Sequence, residues 1–265
     1  MTIPNILSIA GVDPSGGAGS AADLKTFAAL RTYGMAAITA VTVQNTRGVR
    51  GFELLDPAFV ADQIDAVFED VRVDAVKIGM VGSAAVAGAI ADALIRHGAR
   101  HVVLDPVMIA KGGDALLAAD AVATIRVRLV PLAEVITPNL PEAAVLLGAA
   151  EPADLEAMRG MASDLLALGP VSVMLKGGHL DGPEATDVYR DAEITETLSA
   201  SRIATKNTHG TGCTLSSAIA ALLPQMSRRD AIHAAKDYVT GAIDAADRLD
   251  VGSGHGPLHH GFATT

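Results

Sequence analysis

Tryptophan is missing from this 265-residue chain, aromatic residues of every kind make up 3% of it, and there is one cysteine, Cys213. So few aromatics leave little from which to build the base-stacking platform of a single-strand nucleic-acid binder. A lone cysteine forms no internal disulfide and no multi-thiolate zinc site, which suits a reducing compartment and points to a cytoplasmic address. Positive charge is scarce as well. Twenty Lys and Arg stand against 30 Asp and Glu, a net charge of −10, opposite to what nucleic-acid backbone or an anionic membrane attracts. Met1 to Ala10 carries no basic residue ahead of its apolar run, so no export signal is read there. The longest apolar stretch, Ile78 to Ile95, is interrupted by Ser83 and Asp92 and reads as strand end, loop and helix rather than a membrane span. A Gly-x4-Gly-Lys-Ser/Thr sequence does not occur, which excludes a P-loop nucleotide site.

What is present is half hydrophobic and 19% charged, the composition of a globular protein. Short β-branched runs recur at Ile6 to Ala10, Ala37 to Val43, Asp74 to Ile78, His101 to Leu104, Val135 to Thr137 and Val171 to Leu175, as buried strands do. Between most of them lie segments of helical spacing, such as Val60, Ile64, Val67 and Val71, or Ile232, Ala235, Val239, Ala242, Ala246 and Leu249. Alternation of this kind predicts an α/β fold, a mostly parallel sheet with helices on both faces. Gly182 to Ala200 reads as one or two short antiparallel strands around Asp191. With no linker or repeat to divide it, residues 1–265 are expected to form one domain.

Ligands of open α/β sheets bind beyond the carboxyl ends of the strands. The residues closing each apolar run are therefore candidates: Gly11 and Asp13, Gln44 and Asn45, Gly79 and Met80, Asp105, Asn139, and Lys176 with Gly177. Gly17-x-Gly19-x-x-Ala22 formally matches a dinucleotide fingerprint, but the second strand ends in Gln44-Asn45 where an acid should hold a ribose. Those glycines fit either a wide capped turn or a backbone lying against a small ligand. Asp23, in the first turns of the next helix, is favoured there by the helix dipole alone. Gly210-Thr-Gly-Cys213 precedes the apolar helix Leu215 to Leu223, where free amides would form an anion hole, or merely a capped turn. The same dipole would favour a Cys213 thiolate, leaving a base, a nucleophile or inert packing open. His209 hints at a Cys/His pair with no third residue to orient it. Lys176 would aim a charge at the contents of the anion hole, or snorkel to solvent. Asn139 and Glu142 fit a helix capping box or a magnesium and phosphate clamp, and Asp105 fits a turn or the same edge. His259 and His260 are read as tail.

Several long motifs in one order are more specific than any of these alone. Ser8-Ile-Ala-Gly-Val-Asp-Pro-Ser-Gly-Gly-Ala-Gly19, Ala22-Asp-Leu-Lys-Thr-Phe27, Lys77-Ile-Gly-Met80, Leu104-Asp-Pro-Val-Met108, Ile136-Thr-Pro-Asn-Leu-Pro-Glu142, Leu175-Lys-Gly-Gly-His179 and Lys206-Asn-Thr-His-Gly-Thr-Gly-Cys213 together resemble the hydroxymethylpyrimidine/phosphomethylpyrimidine kinases of thiamine biosynthesis, within the ribokinase-like superfamily. The resemblance runs nearly end to end. It implies transfer of the ATP γ-phosphate, with Mg2+, to a small pyrimidine alcohol and then to the monophosphate, by a cytoplasmic homodimer. It implies a substrate pocket of Gly11, Asp23, Gln44, Met80 and Val107, with Gln44 reading the aminopyrimidine edge. Lys176 would meet the transferred phosphate, the anion hole would be Gly210, Thr211, Gly212 and Cys213, and Cys213 would assist deprotonation. Nucleotide would lie near Asn139, Glu142, Lys176, Thr208, Gly210 and Gly212, and magnesium near Glu142 and Asp105. Where ribokinase and most pyridoxal kinases place an aspartate, this sequence has Cys213, as the pyrimidine kinases do. A pyridoxine, pyridoxal or pyridoxamine kinase, and a non-catalytic pyrimidine- or vitamin-binding protein, are the alternatives.

Overall fold

The computed structural model describes residues 2–108, 119–178, 180 and 182–263. Its frame is one nine-stranded sheet: β1 (Asn5–Val12), β2 (Tyr33–Asn45), β3 (Gly48–Leu54), β4 (Ala75–Ile78), β5 (Val102–Leu104), β6 (Val135–Ile136), β7 (Ser172–Lys176), β8 (Glu184–Asp191) and β9 (Thr195–Ser201). The order across the sheet is β3-β2-β1-β4-β5-β6-β7-β8-β9. Six strands from β2 to β7 run parallel, while β3 at one edge and β8 with β9 at the other are antiparallel. The expected α/β architecture is therefore present, and the β8–β9 hairpin turns close to Asp191 as the sequence suggests. The β2–β3 hairpin was not anticipated, because Gly48 to Leu54 carries no run of buried apolar residues and lies largely exposed.

Strand alternation sends neighbouring side chains to opposite faces. Leu7, Ile9, Val76, Ile78, Leu104, Ile136, Val173 and Leu175 meet one apolar layer, which includes Ile64 of α2 (Pro57–Asp70), Ile90 of α3 (Ala84–Arg96) and Met158 of a helix at Leu155–Leu166. Ile6, Ala75, Val103, Val135 and Met174 meet the other, with Phe27 of α1 (Gly19–Ala29) and the helices Thr211–Leu222 and Arg228–Asp244. In chain order the helices are completed by α4 (Ala119–Thr124), α5 (Leu140–Leu147) and α6 (Leu155–Leu166), so the last two are α7 (Thr211–Leu222) and α8 (Arg228–Asp244). Ile78 to Ile95 divides into strand end, loop and helix as read, and no helix among the described residues is long and apolar enough to cross a membrane.

The C-terminal segment departs from its reading as tail. Leu258 and His260 are buried, the His260 carbonyl accepts from Tyr238 Oη at 2.8 Å, and His260 Nε2 lies 3.1 Å from Thr214 Oγ1 in α7. Upstream, the Gly256 carbonyl accepts from the His209 amide at 3.0 Å. Glycine-rich composition signalled a loose end, whereas the long-range bonds to α7 and α8 hold it.

Candidate active site

Because β1 has β2 on one side and β4 on the other, the chain reverses direction across the sheet at β1, and a crevice opens beyond the carboxyl ends of the parallel strands. A cavity of about 730 Å3 lies there, within the range of roughly 300–1,000 Å3 usual for small-molecule sites. Gly11, Asp13, Gln44, Met80, Asp105, Val107, Asn139, Glu142, Lys176, Thr208 and Gly210 through Cys213 all line it. Met80 and Val107 pack with Ala40 as its apolar wall.

Lys176 closes β7 and turns to Asp105, with Nζ 2.9 Å from Oδ1; Glu142 Oε2 is 3.9 Å away. Burial works against the lysine's charge, but the two carboxylates raise its pKa. For Asp105, which also accepts from Thr137 Oγ1 at 3.1 Å, burial is outweighed by Lys176 and Lys77, so its carboxyl stays below the usual range. Burial pushes Glu142 up to about 7 despite Lys176. Both halves of the capping box at the start of α5 exist: Asn139 Oδ1 accepts from the Glu142 amide, and Glu142 Oε2 from the Asn139 amide, each at 2.8 Å. The cap and the position beside Lys176 coincide, so the bland reading and the functional one describe the same two side chains.

Gly210 begins α7 in a left-handed conformation at φ 80°, with no side-chain cap. A Cβ at Gly210 would overlap the Gly17 carbonyl oxygen, so only glycine lets α7 approach the first loop this closely. Among the described residues no acceptor faces the amides of Gly212 and Cys213. They open into the cavity at a helix N-terminus, where anions are favoured.

The loop glycines behave differently. Asp13 Oδ2 accepts from the amides of Gly17 at 3.2 Å and Ala18 at 3.0 Å, and Oδ1 from the Ser15 amide at 2.8 Å. The chain's own carboxylate thus fills the nest in which a dinucleotide pyrophosphate would sit, which removes the dinucleotide reading. His209 Nε2 lies 2.8 Å from Asp13 Oδ2. The histidine therefore does have a carboxylate partner, but its partnership is with Asp13 and Gln44 and not with Cys213.

A family model described as phosphomethylpyrimidine kinase matches residues 13–259. The hydroxymethylpyrimidine/phosphomethylpyrimidine kinase of Escherichia coli K12 is 51% identical over 257 residues, 97% of each chain, and that of Rhizobium meliloti is 54% identical over 255 residues, 96% of each. The chain belongs to the phosphomethylpyrimidine kinase family. Among solved structures, the phosphomethylpyrimidine kinase of Clostridium difficile 630 superposes with a TM-score of 0.80 at 42% identity, covering 91% of this chain and 100% of that one. The ADP complex of Bacillus subtilis pyridoxal kinase gives a TM-score of 0.91 at 34% identity over 99% of both.

Two expectations meet a different environment: Asp23 in the substrate pocket, which the resemblance implies, and a Cys213 thiolate, which the helix dipole suggests. Asp23 does not reach the cavity. It is fully buried, where its carboxylate accepts from Lys77 Nζ at 2.9 and 3.0 Å, Ser8 Oγ at 2.6 Å and Ser217 Oγ at 2.7 Å. Alternation along β4 points Lys77 to the α1 side of the sheet, opposite Ser8 in the pairing with β1, so one ion pair ties β1, α1, β4 and α7 together. Cys213 is not set up as a thiolate. Its side chain reaches the cavity, but burial pushes the thiol up to about 11, outweighing Lys77 and the amide of Gly19, which donates to the sulfur.

Sequence reading passed over Lys77, which lines the cavity in front of Asp23, and the whole wall built by β8, β9 and α8. Ala185, Asp187, Arg202, Lys236 and Ile243 stand there, with Lys236 Nζ 2.7 Å from Asp187 Oδ2. Antiparallel edge strands lie outside the strand-end rule, so no local pattern singled these residues out. His179, last residue of the Leu175 to His179 motif, falls outside the described residues.

Proposed function

We propose that this chain, as one ribokinase-like unit over residues 1–265, transfers the ATP γ-phosphate to the hydroxymethyl group of 4-amino-5-hydroxymethyl-2-methylpyrimidine and then phosphorylates that monophosphate to the diphosphate, in thiamine biosynthesis. The observation that carries it is the meeting of Gln44, Lys176 and the Gly210–Cys213 amides in one cavity of a chain that matches this family along nearly its whole length. ATP as donor is supported by the AMP-PCP complex of the structurally similar Staphylococcus aureus pyridoxal kinase, with a TM-score of 0.91 at 31% identity.

Gln44 would hold the ring, with Met80 and Val107 against its faces and Gly11 allowing close approach. Catalysis of phosphoryl transfer is chiefly positioning and charge stabilisation. Lys176 and the amides of Gly212 and Cys213 would neutralise the equatorial oxygens of the phosphoryl group in flight. A loose transition state draws the proton from the alcohol late, which accords with a neutral Cys213 lining the pocket rather than abstracting a proton. The β8–β9–α8 wall is left for the nucleoside, and Asn139 and Thr208 for its phosphates.

Magnesium fits the residues present. Among the described residues no group of three or more His, Cys, Asp or Glu side chains could cage a metal, but magnesium keeps most of its waters and takes one or two carboxylates plus phosphate oxygens. Asp105 and Glu142, flanking Lys176, are the two that would hold it. When bound, it would supply neutralising charge to the phosphates. A cytoplasmic homodimer completes the reading, from the lone cysteine and the habit of the family.

The test is mass spectrometry of products from purified protein, Mg-ATP and the hydroxymethylpyrimidine, with pyridoxal in parallel. The diphosphate is expected. Pyridoxal phosphate as sole product would promote the vitamin B6 reading, and no product in either tube would leave a binding protein.

A further inference from the structure

Four side chains at the pyrimidine end of the cavity share a chain of protons whose direction can be counted. Asp13 Oδ2 accepts from Gly17, Ala18 and His209 Nε2, and although burial opposes its charge, the bonds from His209 and Ser15 keep the carboxyl below its usual range and ionised. A carboxylate only accepts, so His209 Nε2 must carry a proton, in the neutral ring or the charged one. A protonated Nε2 cannot accept from an amide nitrogen. The Gln44 atom 3.3 Å from it is therefore the carbonyl oxygen, which shares the one Nε2 proton with Asp13 in a bifurcated bond, the two ends of an amide being alike in shape.

Thr42 accommodates the same assignment. With Oε1 assigned to the His209 side, the Thr42 hydroxyl proton goes to the Val12 carbonyl at 3.0 Å and its oxygen accepts from the Gln44 NH2 3.2 Å away. With Oε1 beside His209 and the NH2 beside Thr42, each end keeps one capacity facing the cavity: an acceptor and an N–H, in fixed order.

We propose that His209, oriented by Asp13 and seconded by Thr42, is a positioning residue that locks the polarity of the Gln44 amide and so makes the site selective for a 4-aminopyrimidine over its 4-oxo analogue. This rests on the assignment of Gln44 as the reader of the ring. A 4-aminopyrimidine presents an amino donor next to a ring-nitrogen acceptor, whereas the 4-oxo form presents an acceptor next to N–H, the reverse order. Only a rotated amide fits the 4-oxo form, and rotation would set the Gln44 NH2 against the protonated Nε2 of His209 and draw the Thr42 hydroxyl proton from Val12 to the new Oε1. His209 is buried against Gly17, which limits its room to move aside. A Cβ on Gly17 would strike its Cδ2, and its amide is tied to Gly256 at 3.0 Å.

Two measurements test this. Long-range 1H–15N spectra of ligand-free protein, with the ring assigned by its loss in His209→Gln, are expected to show a proton on Nε2; a ring protonated on Nδ1 alone overturns the proposal whatever the enzyme phosphorylates. First-step kinetics with the 4-amino and 4-oxo compounds give the second. His209→Leu is expected to raise KM for the amino compound about tenfold or more with kcat within about threefold, and to narrow the amino-over-oxo ratio of kcat/KM about tenfold, which corresponds to roughly 1.4 kcal/mol. His209→Gln, whose NH2 can donate to both Asp13 and Gln44, is expected to restore most of both. An unchanged ratio, or a loss in kcat with KM unmoved, overturns the positioning role. Should His209→Leu fail to fold, the isosteric Thr42→Val removes the second support of the same amide and must narrow the ratio too. Failure of wild-type protein to phosphorylate the amino compound sinks the proposed function, while the spectra still decide the proton chain.

Discussion

Lys176 and Cys213 both line the cavity at the head of α7, but their chemical states differ because their partners do. Lys176 is held charged between Asp105 and Glu142, so its removal deletes a cation that meets developing negative charge. Lys176→Ala is expected to lower kcat about a hundredfold or more, as loss of one preorganised stabilising donor does elsewhere, with the pyrimidine Kd by calorimetry within a few fold. Among the described residues Cys213 makes no hydrogen bond to a carboxylate or imidazole, and burial, with Asp105 and Asp23 nearby, pushes its thiol up to about 11. Cys213→Ala is therefore expected to slow both phosphorylations alike, by less than about tenfold in single-turnover assays. A loss confined to the alcohol step would restore the catalytic thiolate. The sequence placed both residues at the site; it could not weigh the helix dipole against burial at Cys213, because burial depends on what the first loop and β4 bring alongside.

At the scale of elements, the contact of α7 with the first loop is what opens the anion hole. Gly210 stands at φ 80° with the Gly17 carbonyl where its Cβ would be. An alanine there strains the backbone and pushes the helix off the loop. Gly210→Ala is expected to lower stability by about 2 kcal/mol or more in urea denaturation and to reduce turnover beyond that loss; wild-type behaviour would mean that the approach is not needed. The parallel strands were legible because each is a short run of buried β-branched residues, and the rule that ligands gather at strand ends then named Gly11, Gln44, Met80, Asp105, Asn139 and Lys176 together. The same rule gave no purchase on β3, whose exposed, polar pattern resembles loop, or on β8 and β9, which were legible as antiparallel strands but lie outside a rule for parallel strand ends. Nor could helical spacing show that Asp23 in α1 turns inward to Lys77, since an acid early in a helix is satisfied by the dipole as readily as by a partner in another element.

Across the whole molecule, the cavity is bounded by distant segments, the end of β1 and the turn at His209, and the C-terminal residues pack behind that turn through the His209 amide and Gly256. His260 anchors the last of these, and burial lowers its pKa to about 4. The unfolded chain takes up a proton there below about pH 6.5 while the folded one does not until about pH 4, so stability is complete above pH 6.5 and drains away as pH falls toward 4. Thermal melts of His260→Gln are expected to show a shallower loss between pH 6.5 and 5 than wild type, and parallel curves would remove the buried histidine as the cause.

The sequence by itself determined the layered α/β class, the parallel core of the sheet and the family, because strand period, helix period and ordered motifs are properties of neighbours along the chain. Only tertiary structure decided that Asp13 fills the glycine nest, that Asp23 clamps Lys77 instead of lining the pocket, that burial pushes the Cys213 thiol up and that the last residues dock. Each of these turns on desolvation or on a hydrogen bond between residues far apart in sequence, and neither quantity is defined until the chain has folded.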